Sequence, residues 1–220
     1  MKFNRAADTY DKYAWHQAEA AKTLLSLPGL PEKVCSVLDL GCGTGLASRA
    51  AADRYPDAAF TGLDISPDML KAYRRRFQEV KLIEADLQDY RFEEPADLVV
   101  SSFALQWIAG FNAITFPTVF ALAVPVEGSL PEFPNPSFPF RSVEFYRDLL
   151  KRQGFRIEIE EIRTFSRFYA SAKDTLDVFH RIGALPEKPK PLSIGETRAL
   201  LRNLTPSITY ETAFFVARND

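Results

Sequence analysis

The stretch Val37-Leu38-Asp39-Leu40-Gly41-Cys42-Gly43-Thr44-Gly45 decides the fold of this chain. An apolar run ends in three glycines at alternate positions, and a helix-like segment, Leu46 to Tyr55, follows at once. A buried strand feeding a glycine turn and then a helix leaves bare backbone N–H groups where a ligand can approach them. The dinucleotide fingerprint G-x-G-x-x-G is not met, because its third glycine falls on Leu46. A second apolar run, Phe60-Thr61-Gly62-Leu63, closes on Asp64, about twenty residues beyond the turn, where an acid can grip ribose hydroxyls. Turn and acid at that spacing favour a nucleoside-type ligand over an ordinary tight connection.

Outward from this unit, strand and helix patterns alternate. Strands are expected at Ser36–Leu40, Ala59–Asp64, Lys81–Ala85, Asp97–Ser102 and Thr118–Val126. Ser66-Pro67 has the form of a helix N-cap followed by proline at the first helical position. The helix it opens carries Lys71, Arg74, Arg75 and Arg76, read as a solvated face. Such alternation implies an α/β, Rossmann-like fold, a mostly parallel central sheet flanked by helices, with right-handed crossovers. Ligands in such sheets bind at the carboxyl ends of the strands. Gly41–Gly45, Asp64, Asp86 and Ser101–Phe103 all fall at such ends.

One domain over residues 1–220 is expected, with a small lid. An N-terminal helix, 5–27, shows Ala14, Ala18, Ala21, Leu24 and Leu25 on one face and stops at Pro28-Gly29. Only Ile108–Pro117 separates strands four and five, short for a parallel crossover, which usually needs a dozen residues or more. Pro125–Pro139 is rich in proline and phenylalanine and reads as a loop over the sheet edge; lid segments are placed near 126–142 and 166–195. Between and beyond them come a helix, Val143–Gln153, a strand, Arg156–Phe165, and a capped helix from Ser171 to about Ile182. A proline-lysine linker (Pro186–Pro191), a second capping box (Ser193–Glu196) and a closing strand, Thr209–Ala217, complete the reading.

Composition narrows the function. At 46% hydrophobic and 25% charged residues, with a net charge of −2, the chain is of ordinary globular type and has no overall push toward nucleic acid or membrane. Two cysteines, Cys35 and Cys42, are too few for a disulfide framework, so a cytoplasmic setting is expected. Cys42 reads as a small filler of the turn. With His16 and His180 the only histidines, no metal site is expected, and His16 is placed on a helix surface.

The lettering D-x-G-C-G-T-G at Asp39–Gly45 resembles the first motif of S-adenosylmethionine (SAM)-dependent methyltransferases. Three further blocks sharpen this: Phe3–Asp11 (FNRAADTYD) with Gln17, Ser102–Trp107 (SFALQW) and Val126–Glu132 (VEGSLPE). With the tail stretches Arg181–Ala184, Leu192-Ser193 and Ile208–Glu211, they resemble the malonyl-acyl-carrier-protein O-methyltransferases of biotin synthesis, over nearly the whole chain. The resemblance implies SAM as cofactor, leaving as S-adenosylhomocysteine. It implies that Asp39, Gly41, Gly43 and Gly45 line the methionine moiety, that Asp64 holds the ribose, and that Ile65, Asp86 and Leu87 meet the adenine. Ser102 would then sit beside the sulfonium. This chain departs from the family in its short fourth-to-fifth strand connection and its short lid.

A malonyl thioester presents a carboxylate already ionised at neutral pH, so the reaction asks for alignment and carboxylate recognition rather than a strong base. Arg141 is the candidate fork for that carboxylate and Tyr10 a candidate hydroxyl donor. Trp107 and Gln106 are candidate acyl-pocket residues, while Phe103 reads as packing. The partner would be malonyl-acyl carrier protein or malonyl-CoA, met through basic residues drawn from Lys151, Arg152, Arg163, Arg167 and Lys173. Competing readings are a methyltransferase of another small carboxylic acid such as trans-aconitate, a non-catalytic SAM-binding protein, and a nicotinamide-dependent oxidoreductase.

Overall fold

The computed structural model describes residues 10–133, 140–182 and 204–219. The FNRAADT lettering at 3–9, the tip of the 126–142 segment, the linker and the second capping box lie outside the described residues. The chain opens with α1 (Tyr10–Tyr13) and α2 (Trp15–Ser26). The single N-terminal helix expected from the sequence is thus broken at Ala14, whose φ of −83° and ψ of 43° leave the helical region. His16, expected on the surface, is 2% exposed.

Then follow β1 (Ser36–Leu40), α3 (Leu46–Arg54), β2 (Ala59–Asp64), α4 (Pro67–Arg76) and β3 (Lys81–Glu84). The second half holds β4 (Leu98–Ser102), a 3-10 turn (Leu105–Trp107), β5 (Thr118–Pro125), α5 (Val143–Arg152), β6 (Arg156–Phe168), α6 (Ala172–Arg181) and β7 (Ser207–Asn219). Strand β6 runs three residues past the expected end and takes in the start of the supposed lid at 166; β7 is longer at both ends. Edge pairing with β7 carries both, along a register from Arg156↔Arg218 to Phe168↔Ser207.

The seven strands form one sheet in the order β3-β2-β1-β4-β5-β7-β6. Strands β1 to β5 are parallel, and β7 pairs antiparallel with both β5 and β6. The carboxyl ends of β1, β2, β4, β5 and β6 therefore share one edge, and the glycine turn, Asp64 and Phe103 meet there.

Two apolar layers sandwich the sheet, because successive strand residues face opposite sides. Val37, Val100, Ala121 and Phe214 pack with Leu24 of α2, Ala51 of α3 and Val178 of α6. Leu38, Val99, Phe120 and Phe215 pack with Tyr146 and Leu150 of α5 on the other side. No helix of ordinary length connects β4 to β5. Phe111, Ile114 and Phe116 of the connecting segment fill that place, each at most 8% exposed and in the same cluster as Phe120. Burying each large side chain stabilises by about 1.5–3 kcal/mol, enough to hold an irregular crossover against the sheet.

Candidate functional site

The sheet's carboxyl edge opens into a cavity of about 450 Å³. That is within the ordinary range for small-molecule sites, roughly 300–1,000 Å³. Its floor is the glycine turn, through Gly41 and Gly43, and its walls come from four directions. Asp64, Ile65, Ser66 and Met69 follow β2; Asp86, Leu87 and Gln88 follow β3; Phe103, Ala104, Trp107 and Ile108 follow β4; Tyr10 closes over from α1.

Each glycine of the turn has its own reason, and the three differ. A Cβ on Gly41 would stand 2.3 Å from that of Ala104, so the β1 and β4 loops touch only because it is absent. A Cβ on Gly45 would lie 2.9 Å from the Tyr73 ring, making that glycine a packing residue of α4, away from the cavity. Gly43 differs again: with φ of +52°, its missing Cβ would meet nothing within 4 Å. It faces open ligand space.

Asp64 is tied in place by backbone N–H groups, from Gly43 at 2.8 Å and from Ser66 at 2.8 Å. Burial raises its carboxyl above the usual range, and those N–H groups oppose the rise. Asp39 lies deeper. Its Oδ2 accepts from the Ser48 backbone N–H at 3.1 Å and from the Ser48 hydroxyl at 2.6 Å, while Oδ1 is buried without a partner. Burial pushes this carboxyl up to about 7, with the Ser48 bonds opposing. Asp39 and Ser102, whose hydroxyl is also buried and unpartnered, line a side cavity of about 50 Å³ that adjoins the main one at Gly41, Gly43, Tyr10 and Phe103.

This pair of spaces fits SAM. The side cavity offers unsatisfied polar atoms to an amino-acid end, and the main cavity offers an acid and apolar walls to a nucleoside. Asp39, Gly43 and Ser102 would hold the first part; Asp64, Ile65, Asp86 and Leu87 would hold the second. Ile65, at 63% exposed, is an apolar side chain left uncovered at the rim, as a surface for a flat ring would be.

Not every residue chosen from the sequence reaches the cavity. Gln106 is 4% exposed and donates from Nε2 to the Phe103 carbonyl at 2.8 Å, so it braces the loop and forms no part of the wall. The loop needs bracing, since Phe103 has a φ of +55°, an uncommon conformation for an aromatic residue. Phe103, read from the sequence as packing, lines both cavities. Arg141 sits beside the end of β5, bridged to Val126, with its guanidinium 4.3 Å from the Phe145 ring centre. It does not line the cavity, although its Nε is buried without a partner.

A clasp at the cavity rim went unseen in the sequence. Asp11 accepts from the Thr44 hydroxyl at 2.5 Å and pairs with Arg76 at the end of α4. Of the α4 cations read as a solvated face, Arg76 is thus engaged with α1 and Lys71 pairs with Asp68 at 3.0 Å. Cys42 is buried and its thiol is pushed up by that burial, which fits a filler of the turn. Among the described residues no cluster of three or more His, Cys, Asp or Glu is set to hold a metal, and no helix is long and apolar enough to cross a membrane.

Residues 37–119 match the Methyltransf_25 family, a methyltransferase domain. The malonyl-[acyl-carrier protein] O-methyltransferase of Acetivibrio thermocellus is 40% identical over 49% of this chain and 39% of its own. Other relatives 31–39% identical also align over about half of this chain, and over 25–42% of their own length. The malonyl-[acyl-carrier protein] O-methyltransferase 2 of Coxiella burnetii is 28% identical over 98% of this chain and 93% of that one. Among solved structures, the YcgJ protein of Bacillus subtilis superposes with a TM-score of 0.62 at 12% identity, covering 91% of this chain and 98% of that one. With the glycine turn, the acid after β2 and the β3-β2-β1-β4-β5-β7-β6 sheet in place, the chain carries a methyltransferase domain at residues 37–119 and is similar in fold and site to the class I SAM-dependent methyltransferases.

Proposed function

We propose that this chain is a carboxyl O-methyltransferase that esterifies the free carboxylate of a malonyl thioester on acyl carrier protein, an early step of biotin synthesis. The near end-to-end alignment with the Coxiella burnetii enzyme is the observation that carries this reading. The SAM-binding half alone would suit many acceptors.

SAM, when bound, supplies a methyl group on a sulfonium, open to attack by a carboxylate oxygen. The residues around the cavity suit an acceptor that arrives already ionised. Tyr10 is held in its neutral form, its pKa raised by burial first and by Asp64 and Asp11 next, so its hydroxyl remains a donor. Donation from Tyr10 to the acyl carboxylate would aim one oxygen and cover the other from water. Trp107, Phe103 and Ile108 form an apolar wall against which a short acyl chain and thioester can lie. Gln106 acts through Phe103, as a positioning residue.

Product analysis tests the assignment. Incubation with SAM and malonyl-acyl carrier protein should yield a carrier-bound methyl ester, detected by mass spectrometry and removed by mild alkali. Methyl transfer to trans-aconitate in preference to malonyl-acyl carrier protein would overturn it.

A further inference from the structure

The structure gathers three cations and three aromatic rings on the outer side of the flap that closes the cavity. Tyr10 and Tyr13 are one turn apart on α1, so the helix that carries Tyr10 over the cavity also carries Tyr13 beside it. The Lys12 ammonium lies 5.7 Å from the Tyr13 ring centre and the Arg181 guanidinium 4.9 Å from it. Arg167, at the cavity-side end of β6, lies 5.4 Å from the Trp15 ring centre and 5.8 Å from that of Tyr169. Lys12, Arg167 and Arg181 are exposed, and the three rings are half-buried.

Topology sorts these residues from the other basic ones. Helix α5 begins just after the carboxyl end of β5 and leads back to the start of β6, so Lys151 and Arg152 in its last turn stand at the opposite edge of the sheet. Arg163 lies within β6, paired with Glu161 at 2.7 Å. Among the described residues, neither Lys12 nor Arg167 has a carboxylate within ion-pair distance. The aromatic faces hold the cations in place, and so lower the side-chain ordering needed when a partner arrives.

We propose that Lys12, Arg167 and Arg181 form the docking surface for an acidic protein partner, the acyl carrier protein that delivers the substrate. This rests on the malonyl-acyl-carrier reading of the cavity. A carrier seated there would abut α1 and so stand beside the mouth its acyl group must enter. Exposed charges at the rim of an interface act mainly on encounter rate and salt dependence, and matched signs exclude partners of like charge. Asp177 is exposed on α6, one turn before Arg181.

The test compares two donors of one acyl group on K12E, R167E and R181E, with K12Q, R167Q and R181K as milder variants. Each reversal should raise KM for malonyl-acyl carrier protein about fivefold or more, with the effect shrinking as salt rises. Turnover of malonyl-CoA and the Kd for SAM should stay at wild-type values. Equal loss on both donors, or an unchanged KM for the carrier, would overturn the docking surface. Were the wild type to methylate neither donor, the functional reading would fall, and binding of fluorescent acyl carrier protein by anisotropy would judge the surface alone. Salt-sensitive binding lost in K12E and R181E would uphold it, and no binding to the wild type would overturn it.

Discussion

The Thr44 hydroxyl, in the glycine turn, donates to the Asp11 carboxylate at 2.5 Å, tying the N-terminal flap to the floor of the cavity. Arg76 holds the other oxygen of the same carboxylate. Helix α1 is only four residues long, too short to hold itself, and this clasp fixes the angle at which Tyr10 covers the site. Asp11→Ala should weaken SAM binding about three- to tenfold, through a faster off-rate, since charged hydrogen bonds contribute about 1.5–3 kcal/mol and part of that is recovered by water. Stopped-flow binding of SAM would show it, and Arg76→Gln should move the off-rate in the same direction.

The glycines of the turn separate into packing and ligand-facing positions. Gly45→Ala should cost about 2–4 kcal/mol of stability, because its Cβ enters the Tyr73 ring and its φ of +88° disfavours any side chain. Gly43→Ala should cost only about 1 kcal/mol, the left-handed conformation alone. Its SAM affinity should nonetheless fall about tenfold, since the new methyl stands in ligand space. Thermal melts and calorimetric titration, run on both variants, separate the two effects.

Tyr10→Phe should leave the Kd for SAM within about threefold of wild type while kcat/KM for the malonyl donor falls about ten- to a hundredfold, as expected for one hydrogen bond to a charged acceptor. A large change in SAM affinity with unchanged kcat would instead make Tyr10 a cofactor residue.

His16 predicts an acid limb in stability. Its Nε2 lies 2.9 Å from the Ile208 carbonyl, so that nitrogen carries the proton and donates, and burial pushes the ring down to about 4 from 6.5. The unfolded chain binds this proton below pH 6.5 and the folded chain does not until about pH 4. The neutral ring's contribution is therefore full above 6.5 and is lost as pH falls through that window, by roughly 3 kcal/mol in all. Urea denaturation of His16→Asn against wild type should show a flatter pH dependence between those values.

Much of this was legible in the sequence because it lies in local patterns. The apolar runs ending at Leu40, Leu63 and Ser102 located the parallel strands, and Asp39, Gly43, Asp64, Asp86 and Leu87 meet at the carboxyl edge because strand ends must. Long-range contacts were not legible. Nothing local says that Gly45 packs on Tyr73, that Asp11 meets Thr44 thirty-three residues on, or that His16 bonds to a carbonyl at Ile208. Gln106 and Arg141 were chosen for side-chain chemistry, which cannot report orientation: one turned inward to brace Phe103 and the other stacked on Phe145. The short β4–β5 connection was visible in its length, yet its solution, Phe111, Ile114 and Phe116 in place of a helix, depended on the sheet surface beneath them.

The most direct measurement is methyl transfer from labelled SAM to malonyl-acyl carrier protein, with malonyl-CoA and trans-aconitate assayed in parallel. A methyl ester should form on the carrier-bound malonyl group, with higher kcat/KM than on either alternative. Tight SAM binding with no transfer to any of the three acceptors would contradict it.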